Sequence, residues 1–89
     1  MKHFSIHIYG IVQGVFFRAS TKEKADELHI SGLVQNNIDG SVSIEAEGEE
    51  DALEEFVAWC RNGPKLSRVD RCEIKENSVQ QLKGFSILR

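Results

Sequence analysis

Gly10, Gly14 and Arg18 follow one another at intervals of four in the stretch Gly10-Ile11-Val12-Gln13-Gly14-Val15-Phe16-Phe17-Arg18. Glycines let a backbone turn so that successive N–H groups converge on one point. The arginine adds a planar, permanently charged fork whose donors match the oxygens of a phosphate. A glycine loop that leaves a strand-like run and enters a helix-like one makes a cradle for a tetrahedral anion. The chemistry it would serve is phosphate binding or phosphoryl transfer.

The other reactive side chains narrow the reaction. No Gly-x-x-x-x-Gly-Lys-Ser/Thr occurs, which argues against a nucleoside triphosphatase. Phosphatases with a cysteine nucleophile place it six residues before the phosphate-binding arginine, and Val12 stands there. The acidic run from Glu45 to Glu55 falls on the outer face of a strand and the start of a helix, so it reads as a solvated face and not a magnesium site. His3 and His7 share a strand face and His29 ends a helix. None has Cys, Asp or Ser at ligand or triad spacing, and all three are expected to be surface histidines. Ser20 and Thr21 belong to a first helical turn, where hydroxyls satisfy backbone donors.

What remains is an anion cradle with no nucleophile, no general base and no metal. Such a site can act only on a phosphate that already carries a good leaving group. An acyl phosphate qualifies, because its carboxylate departs without being protonated and the transfer needs mainly positioning and charge stabilisation. No cofactor and no metal are expected.

The surrounding pattern says which elements hold these residues. Phe4, Ile6 and Ile8 alternate with Ser5, His7 and Tyr9, as in a half-buried strand that Gly10 ends. Phe17, Thr21, Ala25 and Leu28 then recur on one face of a helix. Two strands follow around Ile38-Asp39-Gly40, where Asp-Gly suits the positive backbone angles of a tight hairpin. In the second of them Val42, Ile44 and Ala46 face in, while Ser43, Glu45 and Glu47 face out. Leu53, Phe56, Val57 and Cys60 restore helical spacing, with acids Glu49, Glu50 and Asp51 at the start and Arg61 at the end. Gly63-Pro64 closes that helix, and short strands near 69–75 and 85–88 complete the order βαββαβ with a possible extra edge strand. The expectation is a ferredoxin-like α+β sandwich, an antiparallel sheet with both helices on one face.

The 89 residues fit a single domain, 1–89. A net charge of −3 disfavours a dedicated nucleic-acid binder. No apolar run approaches the ~18 residues of a membrane span, and the alternating start is unlike a signal peptide, so a cytoplasmic location is expected. Cys60 and Cys72 are expected to be reduced thiols and no disulfide framework.

Gly10–Arg18, read as Gly-x-Val-Gln-Gly-Val-x-Phe-Arg, resembles the first signature of the acylphosphatase family. Gly32-Leu33-Val34-Gln35-Asn36-Asn37 with Gly40-Ser41-Val42 is similar to the second, and Gly63-Pro64, Val69-Asp70-Arg71 and Phe85-Ser86-Ile87 resemble bacterial members. The resemblance covers essentially the whole chain. It implies that Arg18 binds the phosphoryl oxygens, that Asn36 orients the attacking water, and that the backbone of Val12, Gln13, Gly14, Val15, Phe16 and Phe17 completes the cradle. The reaction implied is hydrolysis of an acyl phosphate to a carboxylate and inorganic phosphate by a monomer, without cofactor. The chain departs from the family pattern at Leu33, where an aromatic is usual, and at Asn37, where Thr or Ser is commoner.

Other readings stay open on the residues alone. Arg18 can pair with a surface carboxylate, and Asn36 can be a turn former. A binding module of the same architecture, taking RNA or protein, would need exposed aromatics on the central strands; Tyr9 is available, but Ser41–Glu47 supplies none and exposes Glu45 and Glu47 instead. The same domain also occurs as a carbamoyl-phosphate-processing module of hydrogenase-maturation proteins. This chain lacks that system's other domains, and a small hydrolase with no nucleic-acid or membrane partner is preferred.

Overall fold

The computed structural model describes residues 1–88. Its elements are β1 (Lys2–Ile11), α1 (Phe17–Glu27), β2 (Ser31–Asn36), β3 (Val42–Gly48), α2 (Glu50–Cys60), β4 (Arg68–Asn77) and β5 (Phe85–Leu88). The sheet order is β4-β1-β3-β2-β5. β1 and β2 both run antiparallel to β3, so they point the same way and end at the same edge of the sheet. That shared edge receives both the Gly10–Arg18 stretch and Asn36.

The ferredoxin-like α+β architecture is as expected, with one difference. β5 pairs parallel to β2, from Gly32↔Phe85 to Gln35↔Leu88, so the five-stranded sheet is mixed. β4 and β5 occupy opposite edges, and residues 78–84 must cross the sheet between them. They cross at the edge where β4 ends, and β5 sets off in the direction of β2. Gly10 is also placed differently. It lies within β1, where the pairing with β4 shifts register, and a Cβ there would collide with the Arg68 carbonyl. Close approach of β4, not phosphate binding, is what requires this glycine.

Each helix buries the face its spacing marks out. Phe17, Thr21 and Ala25 turn inward from α1, and Leu53, Phe56 and Cys60 from α2. They meet Ile6, Ile8, Val34, Val42, Ile44 and Ala46 on one face of the sheet. Thr21 caps no N–H group: its hydroxyl donates to the Phe17 carbonyl one turn back, at 2.7 Å. α1 stops in a left-handed residue, His29 (φ 57°), with Ile30 N–H bonded to Ala25 O and His29 N–H to Asp26 O. In the β2–β3 hairpin only Gly40 takes a positive φ, 93°. Asp39 instead accepts the Ser41 N–H at 2.9 Å, a local turn that does the work expected of an Asp-Gly pair.

His3 and Glu47 depart from the sequence expectation of exposed side chains. Both lie on the face opposite the helices, yet both are buried. Residues 78–84 cross that end of the sheet, and the Glu47 carboxylate accepts N–H groups from Gln80 (2.6 Å) and Leu82 (2.8 Å). His3 lies between Glu47 (Nδ1, 3.0 Å) and Glu45 (Nε2, 2.7 Å). Bonding carboxylates through both nitrogens makes it an imidazolium. Burial pulls its pKa down, but the Glu45 and Glu47 carboxylates outweigh that and hold it above the ordinary value. Burial pushes Glu47 up, but the Gln80 N–H, His3 and the Leu82 N–H together hold it below its own.

Candidate active site

At the shared edge a pocket of about 370 Å³ is lined by Val12, Gln13, Gly14, Phe16, Phe17, Arg18, Ala19, Asn36 and Ile87. The loop from β1 into α1 makes most of it. Gly14 (φ 74°) and Phe16 (φ 64°) both adopt left-handed conformations, which fold the loop over the start of the helix. Phe16 is the N-cap residue. No side chain caps α1 and no acid lies in its first turn, whereas α2 opens with Glu50 and Asp51. The first N–H groups of a helix have no partner within it, and their dipoles sum to partial positive charge. The uncapped end of α1 therefore faces the pocket as a ready anion site.

Arg18 adds a full positive charge there, which the helix dipole alone disfavours. No carboxylate among the described residues pairs with it. Its Nη1 donates to the Leu88 carbonyl of β5 at 3.1 Å, which braces the guanidinium and leaves its other donors for a ligand. Asn36, the last residue of β2, projects an exposed side chain into the same pocket. The two residues on which the resemblance places the chemistry thus share one cavity.

The proposed cradle residues divide in two. Val12, Gly14, Phe16 and Phe17 line the pocket. Val15 packs against the core instead. Gln13 lines the pocket, but its side chain turns to the hairpin, where Nε2 donates to Asn37 O (2.7 Å) and Ser41 O (2.8 Å). Asn37 in turn donates to the hydroxyls of Ser41 (3.0 Å) and Ser43 (2.8 Å), so it ties the hairpin together. The Ser41 hydroxyl also meets His7 Nε2 at 2.7 Å and bonds Asp39, whose pKa is held low by the Ser41 hydroxyl and N–H. The sequence assigns no site role to Ala19, Ile87 or the Leu88 carbonyl. Their only signal there is the alternation that turns Ile87 towards the helices, and it becomes informative once β5 is known to lie beside β2.

Cys60 is buried and Cys72 half-buried, both as free thiols, and burial pushes both pKa values up. Neither lines the pocket. Tyr9 is engaged on the open face of the sheet, stacked on His7 with centroids 4.5 Å apart and covered by the Arg71 guanidinium at 4.0 Å. It is not a free platform for a base.

Fold and site together define a small phosphate-handling α+β domain. The acylphosphatase family model matches residues 4–87. An acylphosphatase of Methylococcus capsulatus is 41% identical over 90 residues, covering 100% of this chain and 98% of its relative. The crystal structure of the Bacillus subtilis acylphosphatase superposes with a TM-score of 0.97 at 39% identity, covering 100% of both chains. Full-length HypF in a phosphate- and nucleotide-bound form contains a similar region, with a TM-score of 0.92 at 36% identity over 99% of this chain and 12% of that one. The chain belongs to the acylphosphatase family, whose members hydrolyse acyl phosphates.

Proposed function

We propose that Arg18 and the backbone N–H groups of the loop and first turn of α1 hold the phosphoryl group of an acyl phosphate while Asn36 orients the attacking water. The observation that carries this reading is the single pocket in which an uncapped helix end, a braced arginine and Asn36 meet. The water oxygen forms a bond to phosphorus as the bond to the acyl oxygen breaks. The carboxylate leaves with the electron pair, and the water's proton passes to solvent. Positive charge around the phosphoryl oxygens stabilises the loose transition state, and the carboxylate needs no acid catalyst.

The protein so described is a cytoplasmic monomer, folded as one domain, acting on a small molecule. The two free cysteines support the reducing compartment. Hydrolysis of benzoyl and acetyl phosphates compared with alkyl phosphate monoesters tests the reaction. The acyl phosphates should be split rapidly and the monoesters hardly at all, and equal rates would overturn the reading.

A further inference from the structure

Beside the anion-binding groups, Phe16, Ala19 and Ile87 line the pocket with apolar side chains, while the side chains of Val12 and Phe17 are buried in the core. Phe16 stands out among them. It is 74% exposed and is the one aromatic among the exposed, as opposed to half-buried, large hydrophobic side chains of the described residues. It also occupies φ 64°, ψ 24°, a left-handed conformation that strains a bulky residue. Glycine or a small polar residue would meet the backbone requirement with less strain and no exposed ring. The fold gains no core packing from Phe16, since Phe17, not Phe16, inserts between the helices and sheet. In the signature Gly-x-Val-Gln-Gly-Val-x-Phe-Arg, Phe16 is the second variable position, so the motif does not dictate it either.

A pocket of this size falls within the range of about 300–1,000 Å³ typical of small-molecule sites and exceeds what a phosphoryl group alone needs. The rest of the substrate must lie against the apolar wall. We propose that Phe16, with Ile87 also lining the pocket, forms an acyl-group subsite that selects acyl phosphates with an aromatic or bulky apolar acyl group over acetyl phosphate. This rests on the reading of the pocket as an acyl-phosphate site. An aromatic acyl group meets the exposed ring and removes apolar surface from water, whereas an acetyl methyl is too small to cover it.

The test compares kcat/KM for benzoyl and acetyl phosphate in the parent, Phe16→Gly and Phe16→Tyr proteins. The parent should favour benzoyl phosphate. Phe16→Gly should lose about three- to tenfold more on benzoyl phosphate than on acetyl phosphate, the excess falling mainly on KM. Phe16→Tyr should retain the preference. Phe16→Gly should also melt no lower than the parent, because glycine suits the left-handed position, and this separates a subsite from a structural role. Equal losses on both substrates, or no change on either, overturn the subsite and leave the acyl-phosphate reading intact. A parent protein inactive on both substrates overturns both.

Discussion

Gln13 and Asn37 are joined across the active-site rim: the Gln13 side-chain amide donates to the Asn37 carbonyl at 2.7 Å while also reaching Ser41 O. The bond links the phosphate loop to the hairpin that follows Asn36. One side chain thereby fixes the distance between the anion cradle and the residue assigned to the water. Gln13→Ala should lower kcat about tenfold with a smaller change in KM, because an ångström of misplacement is costly to catalysis. Both carbonyls keep a backbone donor, Gly40 N–H on Asn37 O and Asn37 N–H on Ser41 O, so the cost in stability should be only about 1 kcal/mol. Steady-state kinetics and denaturant unfolding of the variant check this, and an unchanged kcat would show that the link is merely structural.

Arg18 and Asn36 should fail differently. Arg18→Ala removes binding and charge stabilisation together, with a loss of about 3–4 kcal/mol in kcat/KM expressed in both constants. Arg18→Lys should rescue little, since an ammonium cannot both bond Leu88 and fork onto two phosphoryl oxygens. Asn36→Ala should cut kcat about a hundredfold and largely spare phosphate binding. The assignment of roles fails if Asn36→Ala abolishes phosphate affinity but turns over normally.

Inorganic phosphate, the reaction product, should inhibit competitively and raise the melting point. At a hundredfold excess over Kd the gain is about 2.7 kcal/mol, and each kcal/mol moves the Tm of a small domain by about 4–8 °C. Thermal melts in phosphate and in matched chloride should separate this effect from general salt action. Arg18→Ala should respond alike to both salts, and a retained phosphate-specific shift in that variant would remove Arg18 from the anchor role.

The His3–Glu47 pair sets a pH window for stability. Glu47 has its pKa lowered by folding, so its contribution is present above its ordinary 4.5 and is lost as pH falls through the lower folded value. His3 has its pKa raised, so its contribution is complete below its ordinary 6.5 and is lost as pH rises through the higher folded value. Stability against denaturant should therefore decline on both sides of that interval. His3→Gln should flatten the alkaline decline and cost about 3–5 kcal/mol near pH 6, because Glu47 stays buried without its cation. If the parent and His3→Gln lose stability in parallel above pH 6.5, another group governs the alkaline limb.

How much of this was legible in the sequence depends on the range of each interaction. Ile6 and Ile8, or Phe17, Thr21 and Ala25, announce strand and helix because periodicity is local. Arg18 and Asn36 belong to contiguous motifs, and their meeting follows from two strands that share β3 as a neighbour. Long-range relationships were hidden. Nothing near His3 signals that residues 78–84 pass over it, and nothing near Gly10 signals the Arg68 carbonyl beside it. The role of the Gln13 side chain is hidden in the sequence because the carbonyls it holds lie 24 and 28 residues further on.

The bond from Arg18 to the Leu88 carbonyl spans 70 residues of sequence. A ribosome delivers Arg18 and Asn36 early, but β5 only after every other element has been made. While the chain is being synthesised, the loop, the helix end and the arginine can all exist without the strand that braces the guanidinium. The brace on Arg18 therefore forms in a single late event, the docking of β5 beside β2, and an incompletely synthesised chain lacks it.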